Sequence, residues 1–71
     1  MQITPDQTQR ILTSDCAFTQ LGFSMMVTRL RGIYSLNPSQ ANLQNCAKEI
    51  NAFLTKFQSI MEKDFVTISK I

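Results

Sequence analysis

No histidine occurs in the 71 residues. The carboxylates Asp6, Asp15, Glu49, Glu62 and Asp64 fall nowhere at a spacing suited to shared acid–base work. With those parts missing, catalysis is not expected. Cys16 and Cys46 are isolated and cannot complete a zinc site without other good ligands, so neither metal nor cofactor is expected. The two glycines form no phosphate-binding loop. No apolar run approaches the roughly 20 residues of a membrane span, and residues 1–10 hold no signal-peptide core. A cytoplasmic protein away from membranes is the expectation. The net charge of +2 comes from 7 basic and 5 acidic residues scattered singly, too weak and dispersed for a nucleic-acid footprint. With 2 Gly, 2 Pro and 44% apolar residues, the chain is not of disordered composition.

What is present is helical patterning with two start signals. Thr4-Pro5-Asp6-Gln7 reads as cap, proline at the first helical position, acid in the first turn and a reciprocating Gln. Asn37-Pro38-Ser39-Gln40 repeats that logic, and Pro38 pushes the residue before it out of helical geometry. The pattern predicts a single all-α domain over residues 1–71, an antiparallel two-helix hairpin. Helix 1 spans about 5–35, the turn 36–39 and helix 2 about 38–66. Thr13-Ser14-Asp15 is a soft spot, since all three residues favour caps over helix interiors. A break there would leave residues 1–12 as a separate short segment.

On a wheel of about 100° per residue, Leu12, Cys16, Phe23, Met26, Val27, Leu30, Ile33 and Tyr34 form one stripe of helix 1. Helix 2 offers a matching stripe of Leu43, Cys46, Ala47, Ile50, Phe53, Leu54, Phe57, Met61, Phe65 and Ile68. A second stripe on helix 1, Ile11, Phe18, Leu21 and Met25, lies nearly opposite the first, where helix 2 cannot cover it. These four are the candidate partner-binding residues. The size of the chain points the same way: a lone hairpin this short is marginal and is expected to be completed by a partner chain or by self-association. In that hairpin the two cysteines stand roughly 18 Å out of register at about 1.5 Å per residue, so they are expected unbonded. Arg29 and Arg31, near the end of helix 1, read as complements to the helix dipole. Their alternative is a phosphate contact in an RNA-binding hairpin dimer, with only Tyr34 as a nearby aromatic.

Leu21, Met25-Met26, Leu30-Arg31, the Asn37-Pro38-Ser39-Gln40 turn, Glu49-Ile50, Leu54 and Phe57 together resemble the helical-hairpin co-chaperones of type III secretion needle subunits. The similarity spans roughly residues 18 to 62 in length, turn position and apolar spacing. It implies a cytoplasmic protein that pairs with a helical-repeat chaperone to hold a needle subunit soluble and monomeric. The needle subunits themselves are the rival resemblance: short hairpins, many ending in Lys-Asp and apolar residues, as Lys63-Asp64-Phe65-Val66 does. The single proline at the turn and the short run after it favour the chaperone.

Overall fold

The computed structural model describes residues 2–56 and 62–71. Within them lie four α-helices and no strand: α1 (Pro5–Thr13), α2 (Leu21–Leu36), α3 (Gln40–Lys56) and α4 (Glu62–Lys70). The all-α class stands, but the two-helix hairpin is replaced by four helices. The stretch of the expected second helix at 57–61, with Phe57 and Met61, lies outside the described residues.

The first expected helix is two helices. Its start is as the cap signature dictates: the Gln7 amide donates to the Thr4 hydroxyl at 3.1 Å, and the Thr4 amide to Gln7 Oε1 at 2.9 Å. Its end comes at the soft spot. The Thr13 hydroxyl donates to the Gln9 carbonyl at 2.8 Å and the Ser14 hydroxyl to the Ile11 carbonyl at 3.3 Å, while Ser14 itself is extended at ψ 169°. Such local side-chain bonds compete with helix propagation. Residues 14–20 are non-helical, and α2 restarts with Gln20 as its cap, Oε1 accepting from the Phe23 amide at 2.6 Å.

Two long-range contacts hold this break. Arg31 of α2 donates from Nε to the Ile11 carbonyl at 3.0 Å and from Nη2 to the Cys16 carbonyl at 2.9 Å. It thereby satisfies a carbonyl that the end of α1 leaves without a helical partner. From the other side, the Asp64 carboxylate of α4 accepts from the Thr19 amide at 2.7 Å, the Thr19 hydroxyl at 2.9 Å and the Gln20 amide at 3.0 Å. Asp64 is fully buried. Burial alone would raise its pKa, but the bonds from Thr19 and Gln20, together with Lys63, hold the carboxyl below its ordinary value.

The central turn also differs from the expected cap. Asn37 ends α2, its amide reaching the Ile33 and Tyr34 carbonyls, and Ser39 starts α3, accepting from the Asn42 amide at 3.1 Å. Pro38 explains the shift, because it keeps Asn37 out of helical geometry, at φ −148° and ψ 80°, and leaves the next good hydroxyl cap two residues later. Asn42 then stitches the turn by donating from Nδ2 to the Asn37 carbonyl at 2.8 Å.

Because the chain breaks at 14–20, α1 folds back and packs against both α2 and α3. The resulting core joins Ile11 and Leu12, Phe18 from the connecting loop, Phe23, Val27, Leu30 and Tyr34 of α2, Leu43, Cys46, Ile50 and Leu54 of α3, and Ile68 of α4. The Phe18 and Phe23 rings meet edge to face with centroids 4.8 Å apart. Before α1, Ile3 is buried, and Asn51 grips its backbone at both ends: the Ile3 amide donates to Oδ1 at 2.7 Å and Nδ2 donates to the Ile3 carbonyl at 3.1 Å. Both cysteines are free thiols. Burial, followed by the Glu49 charge, pushes the Cys46 thiol up against an opposing effect of Arg29, so Cys46 acts as a small apolar side chain.

Gly32 sits inside α2 at an exposed position, and a Cβ built there would meet nothing within 4 Å. Its φ is not positive, so nothing in this chain requires glycine there. Gly32→Ala is therefore expected to stabilise the fold by about 0.5–1 kcal/mol. Thermal or urea melts followed by circular dichroism check this. An unchanged or lower midpoint would show that the site is not open.

Candidate partner-binding face

The four sequence-derived partner residues divide into two pairs. Ile11 and Phe18 are 0% and 8% exposed, enclosed by this chain's own core. Leu21 and Met25 are 73% and 64% exposed. The division has a geometric cause: a helical wheel carries its phase only along one continuous helix, and the phase is lost across residues 14–20. Helix α1, turned back, places Ile11 against α2 and α3, while the loop drives Phe18 inward. The four do not form one surface.

Leu21 and Met25 instead belong to a stripe that stays within α2. Leu21, Met25, Thr28, Gly32 and Leu36 recur at spacings of four and three, and every one is exposed, Leu36 at 89%. At 3.6 residues per turn this stripe lies nearly opposite the buried Phe23, Met26, Val27, Leu30 and Tyr34. Ile33, at 40% exposure, flanks it. On the same flank Arg29 pairs with Glu49 of α3. Beyond that pair a shallow groove of about 310 Å³ runs between α2 and α3, floored by Met26 and Phe53. The face is thus an apolar strip along a rigid helix, with a neutralised ion pair on one edge.

Gly32 and Leu36 were not among the residues singled out from sequence. Their signal was the continuation of the Leu21–Met25 spacing to the end of α2. It is masked by assigning Ile33, one position after Gly32, to the seam.

A second shallow groove, about 660 Å³, lies between the segment before α1 and the outer face of α3. Of its polar side chains, Asn51 is already spent on the Ile3 backbone, Gln2, Gln44 and Thr55 are uncharged, and Lys48 is its one ionisable lining residue. Among the described residues no three His, Cys, Asp or Glu side chains gather as metal ligands, and no helix is long and apolar enough to cross a membrane. The Arg29 and Arg31 side chains, read from sequence as complements to the helix dipole, are instead engaged with Glu49 and with the α1 end and loop carbonyls.

Comparison with protein-family models, with curated proteins and with solved structures gives no match.

Proposed function

We propose that this protein acts by binding another polypeptide through the outer face of α2. The sequence resemblance implies the class: a co-chaperone that pairs with a helical-repeat chaperone and keeps a type III secretion needle subunit soluble and monomeric. The observation that carries the binding role is the run of Leu21, Met25 and Leu36, all more than half exposed on one side of a helix whose other side is core. Long apolar side chains aligned on a helix cover best against another helical surface. Met25 adds adaptability, since an unbranched thioether side chain fills irregular contacts.

Two rival readings receive less support. A polymerising hairpin needs its long faces open to neighbouring subunits, whereas α1 here folds back over α2 and α3. An RNA-binding dimer needs free cations, and Arg29 and Arg31 are engaged within the chain.

The role is tested by assembly. A needle subunit expressed with this chain and a helical-repeat chaperone is expected to elute as a small ternary complex. Omitting this chain is expected to yield filaments or precipitate. Filament formation that is indifferent to its presence would overturn the proposal.

A further inference from the structure

We infer that, in the isolated protein, the outer face of α2 is covered by a second copy of the chain, the two α2 helices packing antiparallel about a two-fold axis beside Thr28 and Arg29. The inference rests on the reading of this face as a docking surface, and names its occupant when no other partner is bound.

The stripe is self-complementary in that arrangement. Reversing Leu21, Met25, Thr28, Gly32 and Leu36 about a point between residues 28 and 29 sets Leu21 against Leu36 of the other copy and Met25 against Gly32. Each contact occurs twice, as an isologous interface demands. Large then meets large at both ends, and a long side chain meets the position without a Cβ next to the centre. This gives Gly32 a role that its own chain does not, since nothing lies within 4 Å of its missing side chain. The stripe itself holds no ionised residue, and Arg29, the nearest, is already paired with Glu49, so the two-fold axis brings no bare like charges together.

The area sets the strength. Leu21, Met25, Ile33 and Leu36 are the exposed large apolar residues of α2. At on the order of 100 Å² for each, with Thr28 and the backbone at Gly32 added, two copies bury about 1,000 Å² in all. That lies at the lower bound of specific interfaces, which predicts a reversible dimer with a dissociation constant of roughly 10–100 µM rather than an obligate one.

Sedimentation equilibrium of the full chain from about 1 µM to about 1 mM tests the inference. The expected result is a monomer–dimer equilibrium with no higher species. Gly32→Leu, which meets open space in the monomer, should keep its helical circular dichroism yet dimerise at least tenfold more weakly. The double variant Leu21→Lys with Met25→Lys should also remain helical and be monomeric throughout. A wild type that stays monomeric up to about 1 mM, or a folded Gly32→Leu protein that dimerises as tightly as wild type, overturns the inference. A monomeric wild type that still binds a helical-repeat chaperone through Leu21 and Met25 overturns the dimer alone. An intact dimer without chaperone binding upholds the dimer and overturns the functional proposal.

Discussion

Asp64→Ala is expected to unfold a large share of the molecules at neutral pH. The carboxylate is fully buried and takes three hydrogen bonds, two from backbone amides and one from the Thr19 hydroxyl. Bonds to a charged acceptor are worth about 1.5–3 kcal/mol each, and removing the acceptor takes away the bonds that the Thr19 and Gln20 amides make at this part-buried site. A loss of about 3–5 kcal/mol follows, comparable to the whole stability of a domain this small. Asp64→Asn should fall between wild type and alanine, because an amide oxygen can still accept but carries no charge. The pH dependence has a definite sign. The folded carboxyl is held below its ordinary value of 3.8, so the stabilisation is present above that pH and is lost as pH falls through it toward the folded value. Melting wild type and Asp64→Asn side by side from pH 7 to pH 2.5 isolates this contribution, which should be missing from the variant. Parallel curves would mean that Asp64 does not hold the start of α2.

Phe18→Asp is expected to abolish the fold. Phe18 is 8% exposed and stacks edge to face on Phe23, itself 0% exposed. The substitution both opens a cavity and buries an unpaired carboxylate, and each alone costs about 3–5 kcal/mol. Loss of the helical circular dichroism signal at 25 °C is the expected readout. Phe18→Asp that folds normally would return Phe18 to the surface, and with it the continuous first helix. Leu21→Asp and Met25→Asp, only three and seven positions further on, should by contrast leave the melt within about 0.5 kcal/mol of wild type.

This difference between near neighbours marks where the sequence stops being readable. The α1 start is written locally, in four consecutive residues, and the structure uses all of them as caps demand. Thr13-Ser14-Asp15 likewise advertises a break by local chemistry alone. Its consequence is not local. That Phe18 turns inward depends on Asp64, 45 residues away from Thr19, accepting at the loop, and on Arg31 reaching back to Ile11 and Cys16. Neither contact is written in residue spacing, and a single helical phase run through the break points Ile11 and Phe18 the wrong way, although Leu12 in the same stretch is buried as expected. For that reason Leu21 and Met25, which share a helix with the seam residues used to set the phase, kept their outward direction, while Ile11 and Phe18 did not. Ser39 replacing Asn37 as the cap of α3 is a smaller case. Two acceptable caps stood two residues apart, and the proline between them decided.

The proposed role requires that a partner dock on the outer face of α2. Titration calorimetry measures this most directly, with the purified helical-repeat chaperone titrated by wild type and by the Leu21→Asp, Met25→Asp double variant. Circular dichroism of the same samples confirms that both are folded. Saturable wild-type binding is expected, with a loss of at least thirtyfold in affinity for the variant, the effect of losing about 2 kcal/mol at an interface anchor. A folded variant that binds as tightly as wild type would contradict the proposed role.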